Sequence, residues 1–350
     1  MKKYIVLLFS LLTISHSYGC NTPSPDMGTG GQIDLCSKNP MPQTVNLFRF
    51  LQETYGKKII SGTMAHVAWN TDEADWVFAQ TGKYPALNGF DYIHLRYSPS
   101  GWIDYGDISP VENWWKAHGL VSGMWHWNVP QTKGSTEYAF YAPGKGQGSP
   151  ETDFDISRAV QDGTDENLAL RLDLVKVANY LLLLAQKGIP VIWRPLHEAS
   201  GGWFWWGAKG PEPYKALWKM MFEVFEAKGV NNLIWVWTSE GHDLDWYPGD
   251  EYVDLIGMDI YREENAHASL IDRFKQAERI GGGKKMIALS ECGGIPAPDL
   301  MFEKGDTWLW FMSWYDAYTR ENKWNGATYW KTVMNDPRII TRDQMPNLKE

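Results

Sequence analysis

The sequence is short of cysteine, of positive charge and of long apolar runs. Its 350 residues include three cysteines, so that at most Cys36 and Cys292 are left to pair if Cys20 is modified or removed. We expect two free thiols. The net charge of −9 supplies no basic footprint for nucleic acid or for an anionic membrane surface. Beyond the first 20 residues, no stretch is long and apolar enough to cross a bilayer.

Motifs for metals and cofactors are also missing. The segment "HEASG" begins like the zinc motif H-E-x-x-H, but Gly201 stands where the second histidine would be. No glycine-rich phosphate turn follows the first predicted strand, which also weakens the case for a doubly wound open sheet. The sequence therefore predicts neither a metal nor a cofactor, and we expect a monomer.

The N-terminus has the pattern of an export signal. Two lysines precede the apolar run Tyr4 to Ile14, and small residues follow, which predicts a signal peptide over 1–19. Gly19-Cys20 suits acylation of Cys20, but Ser17 and Tyr18 fit the usual processing site poorly, so lipidation and ordinary cleavage both stay open. We expect an exported protein, either periplasmic or an outer-membrane lipoprotein. Residues 20–42, rich in Gly, Pro and Ser, are predicted to be a tether.

From residue 43 to 350 short apolar runs alternate with helical stretches such as 167–188. About eight strand–helix units in this length predict one catalytic domain with an α/β fold, a (β/α)8 TIM barrel. The insertion 129–165, after the third strand, is expected to lie on the catalytic face as a loop or lid. The predicted strands are 57–64, 84–91, 119–127, 190–196, 232–239, 253–261, 285–291 and 326–330.

Two carboxylates end otherwise apolar strands of this barrel. Glu198 follows the fourth strand and Glu291 ends the seventh, and catalytic groups of such barrels gather at the carboxyl ends of strands. Paired carboxylates are what cleavage of a glycosidic bond requires. The aromatic run 203–206 behind Glu198 should desolvate it and favour the general acid, which leaves Glu291 as the nucleophile. The chain's 20 tryptophans suit sugar stacking, although a tryptophan-rich core is the alternative.

The motifs "RPLHE", "GGWFWWG", "GMDIY" and "LSECGG" resemble glycoside hydrolase family 26, best known for β-mannanases. The resemblance implies Glu198 as the acid/base and Glu291 as the nucleophile. It further implies substrate contacts or supporting roles for a set of aromatic residues and histidines. These are His126, His197, Trp203 just past the cleavage point, Tyr261 bonded to the nucleophile, and Trp330 as the stacking floor. A structural role remains the alternative for His126, Tyr261 and Trp330, and Arg194 is expected to form a structural ion pair.

The activity implied by the resemblance is a secreted, retaining hydrolase of β-1,4-mannosidic bonds in mannan, galactomannan and glucomannan. Its partner would be a β-mannan polysaccharide or oligosaccharide. Alternatives within the enzyme class are β-1,3-xylan and mixed-linkage β-glucan. A non-catalytic glycan-binding lipoprotein is the alternative outside it, but such a protein would be expected to have lost a carboxylate, and both are present.

Overall fold

The computed structural model describes residues 34–66, 68–95 and 102–350. The predicted signal peptide, Cys20 and most of the predicted tether lie outside the described residues. The tether was predicted to reach residue 42, but its end packs on the barrel. The Cys36 backbone N–H donates to Asp254 Oδ1 at 2.7 Å, and Met41 is buried. Cys36 and Cys292 are both free thiols, as predicted.

Eight parallel strands form the predicted barrel. The first and last strands pair with each other, from Ile60–Trp310 to Thr63–Ser313, so the sheet is closed and the open-sheet alternative is wrong. The strands are β1 (Ile59–Met64), β2 (Leu87–Asp91), β3 (Leu120–Trp125), β4 (Val191–Pro195), β5 (Leu233–Ser239), β6 (Leu255–Ile260), β7 (Met286–Cys292) and β8 (Trp310–Ser313).

Helices cover the outside of the barrel and connect most of its strands. They are α1 (Pro42–Thr54), α2 (Asp72–Thr81), α3 (Ser109–Lys116), α4 (Asp165–Gln186), α5 (Pro211–Ala227), α6 (Ile271–Ile280), α7 (Pro298–Lys304) and α8 (Gly326–Asn335). Between β5 and β6 the chain forms only two short 3-10 turns, Leu244–Trp246 and Asp250–Tyr252. None of the helices described is long and apolar enough to span a membrane.

The eighth strand is not where the sequence predicted it. Residues 326–330 begin helix α8, and β8 lies 16 residues earlier in the chain. The buried positions of α8, Gly326, Trp330, Val333 and Met334, recur at helical spacing. The helical spacing becomes visible only beyond residue 330, where the predicted strand ends.

The core explains most of the unusual tryptophan content. Every residue of the eight strands is buried, because helices cover the barrel outside and side chains fill it inside. Eleven of the 20 tryptophans are less than 2% exposed, so more than half of them serve the core rather than a binding surface.

The insertion 129–165 has little regular structure of its own. It forms one hairpin of two short antiparallel strands, Val129–Pro130 and Tyr138–Ala139, and one short helix, Ile156–Ala159. It leaves the carboxyl end of β3 and lies along the segment that follows β4, with Ala142 N–H bonded to Trp203 O and Trp205 N–H to Phe140 O. It therefore lies on the face of the barrel where the strands end, as predicted.

Candidate active site

The chain leaves β4 in an unusual backbone conformation. Leu196 and Glu198 have φ of +51° and +53°, the left-handed region that non-glycine residues rarely adopt. Side chains from outside the turn hold it in place: Tyr214 Oη donates to Leu196 O, and Trp206 Nε1 donates to His197 O at 2.9 Å. The position of the Glu198 carboxyl group thus depends on a strained turn that is held from behind.

The aromatic run after Glu198 does not form the wall of indoles that the sequence suggested. Only Trp203 reaches the carboxyl group, with its Nε1–H donating to Glu198 Oε2 at 2.9 Å. Phe204, Trp205 and Trp206 are buried in the protein, and of these Phe204 and Trp206 pack against His197 in the turn. Gly207 closes the motif because a Cβ at this position would lie 1.9 Å from Ala199 O.

The surroundings of Glu198 favour its protonated form. Burial raises the pKa of its carboxyl group to about 9, and the charges of Asp259, Glu291 and Glu240 act in the same direction. Arg194 opposes them but does not prevail. A carboxyl group that keeps its proton at neutral pH can serve as a general acid, as the sequence predicted for this residue.

Glu291 has the opposite surroundings. Tyr261 Oη donates to Glu291 Oε2 at 2.6 Å, and Arg194 Nη2 donates to the other oxygen. Arg194 lies inside the barrel and also pairs with Asp259 at 2.8 Å, so the predicted structural ion pair is confirmed. Asp259 in turn accepts from Ser290 Oγ. Donors therefore hold both oxygens of Glu291 and fix the orientation of its carboxylate.

The two predicted catalytic carboxylates do come together. One oxygen each of Glu198, Asp259 and Glu291 lie within 4.8 Å of one another. Three carboxylates at such spacing could in principle surround a cation, but a cation is already supplied by the Arg194 guanidinium, which bonds two of them. The separation of Glu198 and Glu291 is short enough for one sugar ring to be reached by both.

A second group with metal-ligand spacing lies at the end of β1. His66, Asp72 and Glu73 place ligand atoms within 4.8 Å of one another. Arg320 bonds Glu73 there, from Nε at 3.0 Å and from Nη2 at 3.0 Å, so this group also has its own cation.

The two predicted histidines lie side by side, 4.6 Å apart between ring centroids. Asp91, at the end of β2, accepts from the His126 backbone N–H and contacts His126 Nδ1 at 2.6 Å, and this partner was missed by the sequence analysis. His197 is only 1% exposed and so offers a substrate almost no surface. Burial, helped by the charges of His126 and Arg194, holds the pKa of His197 well below its usual value, which keeps the ring neutral.

Trp330 is not the stacking floor. Its side chain is fully buried in α8, and its indole N–H donates to Thr319 O. The aromatic residue at the mouth of the barrel is Trp314, directly after β8. Its backbone N–H bonds Cys292 O next to Glu291, and its ring lies 6.1 Å from that of His126. Trp314 is half-buried, with surface left for a ligand. The sequence signal for this position is the apolar run 308–312 just before it, which indicates the strand β8.

A (β/α)8 barrel with one carboxylate after its fourth strand and one at the end of its seventh, close together at the mouth, has the arrangement of a glycoside hydrolase. The chain belongs to Glycosyl hydrolase family 26, whose family model matches residues 36–344.

Relatives with known activities or structures agree. A mannan endo-1,4-beta-mannosidase of Thermothelomyces thermophilus is 39% identical over 323 residues, which is 90% of this chain and 64% of that protein. The GH26 domain of an endo-beta-mannanase/endo-beta-glucanase from Prevotella bryantii aligns with a TM-score of 0.80 at 38% identity, covering 89% of this chain and 99% of that one.

A beta-mannanase from a symbiotic protist of the termite Reticulitermes speratus, solved with a gluco-manno-oligosaccharide, gives a TM-score of 0.80 at 39% identity. That alignment covers 89% of this chain and 97% of the other. This chain spans about half to two thirds of the length of three curated relatives that are 31–39% identical to it.

Proposed function

We propose that this protein is a retaining hydrolase that cleaves β-1,4-mannosidic bonds inside mannan chains. The observation that carries the proposal is the oxygen separation within 4.8 Å between Glu198 and Glu291. Retaining glycosidases hold their carboxyl groups about 5–5.5 Å apart, whereas inverting enzymes leave room for a water molecule at about 6.5–9.5 Å. Support for mannan as substrate comes from the relatives, several of which are named mannan endo-1,4-beta-mannosidases.

In the first step, a Glu291 oxygen forms a bond to the anomeric carbon while the glycosidic bond breaks. Glu198 gives its proton to the leaving oxygen, so that the departing chain leaves as an alcohol. Arg194 and Tyr261 orient Glu291 for this attack, because each donates a hydrogen bond to one of its oxygens.

In the second step, the ionised Glu198 takes a proton from water, and the hydroxide attacks the same carbon. The bond to Glu291 breaks, its charge returns, and Glu198 is protonated again. Two inversions at one carbon leave the β-configuration unchanged.

The test follows the anomeric protons of the first products from mannopentaose by NMR. A retaining enzyme releases the β-anomer first, and the α-anomer grows only as mutarotation proceeds. Initial release of the α-anomer would contradict the assignment of Glu291 as nucleophile. Parallel digestion of galactomannan and mixed-linkage β-glucan tests the substrate, because cleavage of only the second would contradict mannan as the target.

We further propose that the protein is exported, either to the periplasm or as an outer-membrane lipoprotein with Cys20 as the lipid attachment site. Support comes from the two lysines, the apolar run and Gly19-Cys20 at the N-terminus. A clickable fatty-acid analogue should label the wild-type chain and not the Cys20→Ala variant in a bacterial host. Secretion without label would leave export standing and remove the anchor.

A further inference from the structure

A further carboxylate, Glu240, lies at the mouth of the barrel and has no part in the steps above. It directly follows β5, where Ser239 is in register with Met258 of β6, and Asp259 is in register with Glu291 of β7. Glu240 therefore lies at the same level of the barrel as Asp259 and Glu291. Thr238, two residues earlier, faces inward, since its Oγ1 lies 3.5 Å from Arg194 Nη1. Because strand side chains alternate, Glu240 faces the mouth as well.

The backbone at this position is held firmly, whereas the carboxyl group is not. The Glu240 N–H donates to Asp243 Oδ2 at 2.7 Å, and Asp243 also accepts from Ser239 Oγ and from Ser200 Oγ. None of these bonds involves the Glu240 carboxylate. Across the described residues nothing donates a hydrogen bond to it or pairs with it, and its Oε1 is fully shielded from solvent.

A half-buried carboxylate without a partner is costly, and in a native structure such a group calls for an explanation. Burial, with the charges of Asp243 and Glu291 and against that of Arg273, raises the pKa of Glu240 to about 7. In either protonation state the group can accept a hydrogen bond from a hydroxyl. A hydroxyl-rich ligand is one partner that fits this group in either state.

The position of Glu240 identifies which part of such a ligand it meets. Ser200, two residues after Glu198, donates a hydrogen bond to Asp243 in the loop that follows β5. This bond places Glu240 on the same side of the mouth as Glu198. From the next residue outward, a surface cavity of about 580 Å³ opens, lined by residues 241–245 and Ile280. Trp314 follows β8, which is separated from β5 by two strands around the barrel.

Given the proposed function, on which this inference rests, we propose that Glu240 hydrogen-bonds the sugar unit on the leaving-group side of the scissile bond. It is then a binding residue for the departing part of the mannan chain, and for an acceptor sugar that enters the same place.

The experiment compares two substrates that share the glycone but differ in the leaving group. Mannopentaose offers sugar hydroxyls on the leaving side. A phenyl β-mannobioside offers none, yet it still needs a proton from Glu198 because phenol is a poor leaving group. Glu240→Ala should lower kcat/KM for mannopentaose about tenfold and leave that for the phenyl glycoside within twofold. Glu240→Gln should keep part of the activity on mannopentaose, since its amide oxygen still accepts.

Glu223→Gln, which changes an exposed residue on α5, is the matched control and should behave like the wild type on both substrates. A second readout is transfer to added mannobiose during cleavage of the phenyl glycoside, which should fall relative to hydrolysis in Glu240→Ala. Equal losses on both substrates would show that Glu240 acts through Glu198 or through the fold, and unchanged kinetics on both would show that it binds no sugar. Either result would overturn the inference. A wild-type enzyme that does not cleave mannopentaose would instead refute the proposed function.

Discussion

The ends of β4 and β7 each carry a carboxylate, but the two are held in opposite ways. Glu198 belongs to a left-handed turn whose carbonyl groups are bonded from behind, and its carboxyl group has one side-chain partner, Trp203. Glu291 lies within strand β7, directly after a shift in the pairing register at Ser290, and its carboxylate is bonded at both oxygens. Glu198, the proposed acid/base, is thus positioned mainly through its backbone. Glu291, the proposed nucleophile, is positioned mainly through its carboxylate.

The largest expected effect separates the two acids by chemistry. Either alanine variant should lose activity on mannan by about four orders of magnitude. On an aryl glycoside with an activated leaving group, Glu198→Ala should still form the covalent intermediate, and azide should release it as a β-glycosyl azide. Glu291→Ala should give at most an α-glycosyl azide, because azide would occupy the vacated space. Mass spectrometry and NMR identify the products, and the reversed outcome would exchange the two roles.

The ion pair that holds Glu291 should matter mainly for stability. Arg194→Met leaves Asp259 and Glu291 as buried like charges, so we expect the free energy of unfolding to fall by about 3–5 kcal/mol. The matched control is Arg158→Met, which breaks the exposed pair with Glu166 and should cost less than about 1 kcal/mol. Urea unfolding measures both. Similar losses in the two variants would mean that the buried arginine contributes no more than a surface one.

Loss of the hydrogen bond behind the Glu198 turn should lower activity only on substrates whose leaving group needs a proton from Glu198. Trp206→Phe removes the hydrogen bond to His197 O, and we expect kcat/KM on mannan to fall roughly tenfold. On the activated aryl glycoside, kcat/KM should change little, because its first step needs no acid.

Trp205→Phe is the control for that variant. It removes an equally buried indole bond, to Trp127 O, which does not touch the turn. Both variants should lose similar stability in thermal denaturation. If Trp205→Phe lowers the activity on mannan as much as Trp206→Phe does, the turn is not what places the acid.

The smallest expected effect concerns pH. The pKa of Glu198 is raised to about 9 in the folded protein, so the unfolded chain releases this proton near pH 4.5 while the folded one keeps it. The stability contributed by Glu198 is therefore present below about pH 4.5 and is lost as the pH rises towards 9.

Glu198→Gln never ionises, so it should match the wild-type melting temperature at pH 4 and exceed it by about 2–4 °C at pH 8. The exposed Glu223→Gln should show no such difference. In the wild type, kcat/KM on mannan should fall at high pH with an apparent pKa near 9. A melting difference that is the same at both pH values would contradict the raised pKa.

Much of the fold was accessible from the sequence because buried parallel strands are continuous apolar runs. Seven of the eight strands lie where that signal placed them. The eighth was missed because residues 326–330 end in Thr-Tyr-Trp, residue types that favour strands, while β8 itself has only four residues. The error carried Trp330 into the site and kept Trp314 out of it.

The candidate site was predictable where a charge interrupts an apolar run. Glu198, Glu291 and Arg194 stand out in that way, and the structure brings them together. Asp91 and Glu240 follow the same rule, at the ends of "LNGFD" and "VWTSE", but a single acid at a strand end does not show which neighbour it will face. That depends on register around the barrel, as in the level of Glu240 with Asp259 and Glu291, and register between distant strands is set by the closed sheet.

The bonds between the insertion 129–165 and the aromatic segment bear on how this enzyme can be recombined with its relatives. Backbone hydrogen bonds join Phe140 to Trp205 and Ala142 to Trp203. Trp203 is the residue whose side chain bonds Glu198. A chimera that exchanges 129–165 alone would put a foreign edge against the native partner of the acid. The modular unit is the pair of segments, 129–165 together with 199–207, and libraries that move the two as one block should retain activity more often than libraries that shuffle them separately.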